Sequence, residues 1–388
     1  MMFKNKYLLY LISIALLLFI ACTSKVKGPP AAALEAMNFA SNPVNIRTSW
    51  ETDWEKTIQA ARKEGKVVVA ATNIGLSFKE ASPEMEKKFG FSVEIVARRG
   101  GEIMTSILAE RKAGIYMSDV LISGTNTFFG QAKPANTSDS LDPVLILPEI
   151  LDKKNWYGGD LHWVDPEHTA INLFAYPSTP IAINTQLVKS GEIQSYKDIL
   201  NPKWKGKILM NDPTISGVGL KSFSVVAFNT MNLDYFRQLV KQDPVIIRDQ
   251  RLQANWLAQG KYSILIFPSP SNMLEFIQAE APLAYLTPQE GTHISRDGGV
   301  LSLLNRAPHP YAAKVLINWS LSKEGLTHIS RVQDLQTARV DIPTDFLDPI
   351  RIRQPGAKYF LDADSEAWIA RDPEYKNAAV EVFGQLLK

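Results

Sequence analysis

Lys66-Val67-Val68-Val69-Ala70-Ala71, followed by Thr72-Asn73-Ile74-Gly75-Leu76-Ser77, is the stretch that decides the fold. A short apolar, β-branched run of this kind reads as a strand buried on both faces. A polar, glycine-bearing loop follows it. Phe78, Met85 and Phe89 then share one face of a helix. The unit repeats on either side. Upstream, Thr48 and Ser49 can cap a helix over 51–64 that Gly65 stops. Downstream, Gly90 ends the second helix and Ser92-Val93-Glu94-Ile95-Val96-Ala97 is a second strand. Arg98-Arg99-Gly100-Gly101 opens a helix bearing Ile103, Ile107 and Leu108. Asp119-Val120-Leu121-Ile122 is a third strand that ends in Ser123-Gly124-Thr125-Asn126.

A second series begins later. Pro180-Ile181-Ala182-Ile183-Asn184 reads as a strand, and so does Ile208-Leu209-Met210, which leads into Asn211-Asp212-Pro213-Thr214-Ile215-Ser216-Gly217. Val245-Ile246-Ile247 runs into Arg248-Asp249-Gln250-Arg251. The strand over 262–267 ends at Pro268-Ser269-Pro270-Ser271. Residues 284–286 and 300–304 read as return strands, and helices near 311–321 and 323–330 pack back. Strands alternating with helices mean an α/β fold, with parallel sheets covered by helices. In such sheets ligands sit beyond the carboxyl ends of the strands, where these small polar loops converge. Two such series with long strands between them predict two α/β lobes joined by more than one crossing.

The 388 residues suit two domains of ~100–200 residues each. Lys plus Arg is 42 and Asp plus Glu is 40, so no electrostatic case for nucleic acid arises. The one cysteine, Cys22, allows no intrachain disulfide and no cysteine-based zinc site. Lys4 and Lys6 precede an apolar run over 8–21, which as a helix spans ~21 Å, short of the ~30 Å hydrocarbon core. This is the pattern of a secretory signal over 1–21. Phe19-Ile20-Ala21-Cys22 resembles a bacterial lipobox, with Phe19 where leucine is usual. The resemblance implies cleavage before Cys22, a diacylglycerol on its sulfur and a lipidated tether over 22–49. Loss of 1–21 removes two lysines and leaves 40 basic against 40 acidic residues. Any preference for anions must therefore come from local geometry.

Trp54-Glu55-Lys56-Thr57 with Ala60-Ala61-Arg62-Lys63-Glu64-Gly65-Lys66-Val67-Val68-Val69 is similar to the start of a bacterial solute-binding protein of an ABC importer. Lys112-Ala113-Gly114 before Ser118-Asp119-Val120 fits the same family in order, as do Asn201-Pro202-Lys203-Trp204-Lys205-Gly206-Lys207-Ile208 and Asp212-Pro213 with Ser216-Gly217. Leu257-Ala258-Gln259-Gly260-Lys261-Tyr262 and Ser322-Lys323-Glu324-Gly325 complete the set. The match spans about 50–345, and the branch it resembles contains ferric-ion, phosphonate and organophosphate binders. The resemblance implies the type II periplasmic-binding-protein fold, two doubly wound α/β lobes around a cleft joined by two hinge strands. It places lobe one at 50–178 plus 292–388 and lobe two at 179–291; residues 359–388 themselves, with Trp368 and Phe383, read as packing helices on the back of lobe one. The resemblance also implies an extracytoplasmic, membrane-anchored monomer with a small-molecule ligand, an ABC permease as partner and no cofactor.

Loops at helix N-termini present free N–H groups and a positive dipole end, which suit a carboxylate, phosphate or phosphonate. The candidate ligand residues are Thr72, Asn73, Arg99, Gly100, Ser123, Gly124, Thr125, Tyr176, Asp212, Thr214, Ser216, Gly217, Arg248 and Ser269. Hydroxyls add donors, glycines permit close backbone approach, and arginines add charge and fork geometry. Each has a plainer alternative: a solvated arginine, Asp212 as a turn or cap residue, Tyr176 as packing between hinge and lobe. Tyrosinate iron ligation is disfavoured, because none of the twelve tyrosines is adjacent to another. Ferric binding through other ligands, a sensory receptor and an extracytoplasmic enzyme on the same fold remain as rivals. No HExxH, GxSxG or GxxxxGK[ST] motif supports the enzyme. His162 and His168, six apart, are a weak metal signal.

Overall fold

The computed structural model describes residues 48–387 apart from 73, 74, 99, 297 and 358. The signal segment and Cys22 lie outside the described residues, as do Asn73 and Arg99. In chain order the strands are β1 (Lys66–Ala71), β2 (Ser92–Ala97), β3 (Val120–Ser123), β4 (Ser138–Asp139), β5 (Ile171–Asn172), β6 (Tyr176–Pro177) and β7 (Ile181–Asn184), then β8 (Ile208–Asn211), β9 (Val245–Ile247), β10 (Ile264–Ile266), β11 (Leu283–Leu286), β12 (Thr292–Ser295), β13 (Val300–Leu304) and β14 (Tyr359–Phe360).

They form three sheets. The first has the order β2-β1-β3-β13-β4, with β5 also on β13. Its β2, β1 and β3 are parallel and β13 runs antiparallel to β3. The second has the order β11-β7-β10-β8-β9, with β10, β8 and β9 parallel and the β7–β11 pair returning. The third is small: β6 pairs antiparallel with β12, and β14 lies parallel to β12. The chain leaves the first sheet through β6 and comes back from the second through β12.

Side-chain alternation along β1 explains why its sequence is apolar throughout. Val67, Val69 and Ala71 enter the core shared with Ile58, Met85 and Leu316, while Ala70 enters a second core with Ile103, Met104 and Ile107. Helices therefore cover both faces, as a period of two under two apolar layers requires. The first helix, Ser49–Glu64, starts two residues earlier than its periodicity predicts, because Thr48 is the cap. Its N–H donates to Glu51 Oε2 at 2.7 Å, and the hydroxyl completes the capping box. Gly65, at φ +79°, ends the helix with its N–H on Ala61 O. Asp119 is fully buried just before β3. Its carboxylate accepts from Val68 N at 2.7 Å and His309 N at 2.6 Å, and lies 2.9 Å from His309 Nδ1. One side chain thus locks two strands to the start of the helix Pro310–Leu321.

The C-terminal segment departs from expectation. Residues 372–383 do not pack behind the first sheet. The helix Asp372–Phe383 sends Tyr375, Ala379 and Phe383 into the core of the second sheet. There Phe383 meets Phe223 and Phe236, with ring centroids 6.0 and 5.8 Å apart. Full burial of an aromatic of this size stabilises by about 1.5–3 kcal/mol, so two of them fix the helix firmly. Between β14 and that helix, Ile369 enters the core of the first sheet while Trp368 packs on that of the second. The tail is therefore a strap: it adds a strand beside the two crossings and is anchored on both sheets.

Candidate ligand-binding site

Parallel strands bring their carboxyl ends to one edge. In the first sheet that edge carries Thr72 after β1, Arg98 after β2 and Ser123-Gly124-Thr125 after β3. In the second it carries Asp212 to Gly217 after β8, Arg248 after β9 and Ser269 after β10. The two edges meet. Lys221, on the helix Val218–Val225, donates from Nζ to Thr125 Oγ1 at 3.0 Å.

That helix is seated closely. A Cβ at Gly219 would lie 2.3 Å from Asp212 O, so only glycine lets it approach β8. Gly217, at φ 133°, makes the turn into it. Ser216 and Gly217 are exposed just ahead of the first free N–H groups of the helix. Thr214 is not a spare donor. Its N–H and hydroxyl both go to Asp212 Oδ1, at 2.8 and 2.6 Å, in an Asx turn. The other oxygen, Oδ2, accepts from Arg248 Nε at 2.8 Å. Asp212 is buried, and burial opposes its ionisation. The bonds from Thr214 and Arg248 outweigh that and hold the carboxyl below the usual range. Arg248 stays two-thirds exposed, and its Nη1 and Nη2 have no partner among the described residues.

Other expected donors are engaged. Ser269 caps the helix Pro270–Gln278 in sequence, and its Oγ accepts from Asn272 Nδ2 at 3.0 Å. Ser123 is fully buried and donates to Gly124 O. Thr72 is half-buried, with its N–H on Ile122 O. Gly100 begins the helix Gly100–Lys112. Gly124 precedes Thr125 at φ −88°, where glycine is not needed for the backbone. Tyr176 lies on β6 and belongs to the core of the first sheet. Beside the β2 edge an open cavity of about 820 Å³ is lined by Arg98, Gly101, Glu102, Thr105 and Ser106. Arg251 pairs with Glu275 on the surface, at 3.0 Å.

Three residues beyond the sequence candidates stand at the meeting of the edges: Lys221, Asp364 and Arg296. Asp364, delivered by the strap, is fully buried in its side chain. It accepts from Thr125 Oγ1 at 2.9 Å and from Arg296 N at 2.7 Å, and pairs with Lys221. Burial alone would raise its pKa, but the Lys221 ammonium and these bonds hold the carboxyl below its ordinary value. Lys221 has a sequence signal, as the one cation in an otherwise apolar or small-residue helix. Asp364 has none. His162 is structural: Nε2 lies 2.6 Å from Tyr157 O, and burial with Arg296 nearby pushes its pKa down to about 4. His168 instead stacks on Trp163, with centroids 4.1 Å apart. Among the described residues no group of three or more His, Cys, Asp or Glu could hold a metal ion.

Residues 80–347 match the family model described as bacterial extracellular solute-binding protein. The chain belongs to that family. It is an extracytoplasmic receptor for a small solute, of the kind that serves ABC importers. No curated protein matches the sequence. Solved structures share the fold. The solute-binding protein is 22% identical to the periplasmic binding protein AfuA of Actinobacillus pleuropneumoniae, solved with exogenous fructose-6-phosphate, over 81% of this chain and 97% of that one (TM-score 0.61). It is 14% identical to a substrate binding protein of an ABC transporter from Agrobacterium tumefaciens, over 83% and 94% (TM-score 0.66). It is 16% identical to Trichodesmium IdiA (FutA), solved with iron and citrate, over 83% and 99% (TM-score 0.59).

Proposed function

We propose that this solute-binding protein captures a small anion between the two strand-end edges and hands it to a membrane permease, with no bond made or broken. The observation that carries the anion is Arg248. Asp212 holds it by Nε alone and leaves two charged Nη groups uncovered beside the helix start at Val218. AfuA's fructose-6-phosphate makes phosphate monoesters the first candidates to try. The moving bodies are the two sheets with their helices. The crossings at β6 and β12 are the hinge, and bound solute favours the closed population. Lobe one is 50–178 with the return from 292, and lobe two is 179–291 joined by the helix Asp372–Phe383. Cys22 carries the lipid that keeps the receptor at the membrane.

Isothermal titration against phosphonates, sugar phosphates, carboxylates and ferric citrate tests the anion. Saturable binding of a phosphate or carboxylate is expected. Binding confined to cations or neutral sugars would overturn it. Turnover of the bound compound would move the protein to the enzyme class.

A further inference from the structure

Away from the strand ends, the strap walls a second pocket of about 430 Å³, within the usual ~300–1,000 Å³ of small-ligand sites. No residue of the strand-end loops lines it. Arg353 is its chemical centre. The guanidinium carbon lies 4.4 Å from the Tyr157 ring centroid. Nη1 donates to Thr337 O at 2.8 Å and to Ala175 O, so one nitrogen is spent on backbone carbonyls. Nε and Nη2 donate to nothing among the described residues, and no carboxylate there pairs with the group. Burial with no acid beside it pulls its pKa down to about 10. The backbone N–H of Arg353 is fixed on Gln336 Oε1 at 2.7 Å. The Tyr359 hydroxyl accepts from Gln354 N at 2.9 Å. Val340 and Ile342 supply apolar wall.

A half-buried cation without a counter-charge is costly unless something supplies one. The Nε–Nη2 edge of an arginine matches the two oxygens of a carboxylate or phosphate. We propose that this pocket is a second anion site, taking a carboxylate or phosphate on a compact apolar body against the Nε–Nη2 edge of Arg353. It goes beyond the solute site and does not depend on it. Arg353 follows the family match, which ends at residue 347, while Tyr157, Gln336, Val340 and Ile342 lie within it, so the strap completes a pocket whose other wall is family sequence. A ligand there ties the strap to the loop carrying Tyr157.

The purified protein is titrated calorimetrically with benzoate and phenyl phosphate, in parallel with the solute of the strand-end site. Arg353→Gln is expected to weaken both probes at least tenfold. Val340→Trp, which fills the pocket from its exposed side and breaks no hydrogen bond, is expected to abolish their binding. Arg248→Ala should leave it intact. Probe binding that survives Val340→Trp, or no binding up to millimolar concentration, would overturn the site. Loss of probe binding in Arg248→Ala but not in Arg353→Gln would place the probes between the sheets; the pocket would fall while the anion reading stood. Should Arg353→Gln fail to fold, Val340→Trp alone decides.

Discussion

Asp212 and Asp364 each hold a cation at the loop edges of the two sheets, and the pairs differ in what they leave uncovered. Asp212 is buried but its partner Arg248 is 67% exposed, with one nitrogen engaged. Asp364 and its partner Lys221 are both enclosed, at 0% and 7%, and Lys221 also bonds Thr125. On the function proposed above, the carboxylate of the first pair positions a cation for the solute. In the second the two charges satisfy one another and fasten three segments: the loop after β3, the helix Val218–Val225 and the strap. The same ion-pair chemistry thus leaves the cation open in one place and encloses it in the other.

The sharpest way to break the comparison is to remove the enclosed cation. Lys221→Met leaves Asp364 as an uncompensated buried charge, so it should cost about 3–5 kcal/mol in denaturant unfolding. Adding Asp364→Asn should restore most of that loss, because the stranded charge goes with it. A single-variant cost under ~1 kcal/mol would show that the pair fastens little. The pH dependence has a defined sign. The folded Asp364 pKa lies below its unfolded value of ~3.9. Its contribution is therefore fully present above about pH 4 and is lost as pH falls through the lowered folded value. Asp364→Asn should flatten that acid limb.

How much of this could be read from sequence follows from contact range. The capping box at Thr48, the stop at Gly65 and β1, β2 and β3 depend on residues a few positions apart, and periodicity exposes them. The small polar loops after β3 and β8 can each be placed at the carboxyl edge of their own sheet, because parallel strands leave no other place for them. Asp364 could not be found this way: its partners Thr125 and Lys221 are 239 and 143 residues distant. The core that takes the helix Asp372–Phe383 is hidden for the same reason, since Tyr375 and Phe383 mark burial but not which sheet buries them. Thr214 reads as a free donor from its type alone, because the Asx turn that uses its hydroxyl does not show in sequence. Lys221 is legible, as a charge inside an otherwise apolar or small-residue run.

The exposed cation makes a smaller and opposite prediction. Arg248→Ala should weaken anion binding by ~10–100-fold, the loss of one charge-assisted contact, while shifting stability by no more than about 0.5 kcal/mol. Arg248→Lys should recover little. An ammonium has no Nε to rest on Asp212 while two further nitrogens bind, so position and fork are lost together. Binding that is indifferent to both substitutions would return Arg248 to a solvated surface side chain.

The smallest expected effect tests whether Asp212 acts through Arg248. In Asp212→Asn the amide oxygen can still accept from Thr214 N and Oγ, so the turn after β8 should survive. What goes is the charge that holds Arg248 Nε. The arginine then spends part of its time in other rotamers, and anion affinity should fall by only a few-fold, with a steeper dependence on salt as a less restrained charge is screened. A double-mutant cycle separates this from a direct contact. If Asp212 only positions Arg248, Asp212→Asn should have no further effect on binding once Arg248 is alanine. An undiminished loss in that background would mean that Asp212 touches the solute itself. The solute would then have to carry a hydrogen-bond donor or a positive charge, and the pair would fasten its ligand as Asp364 fastens Lys221.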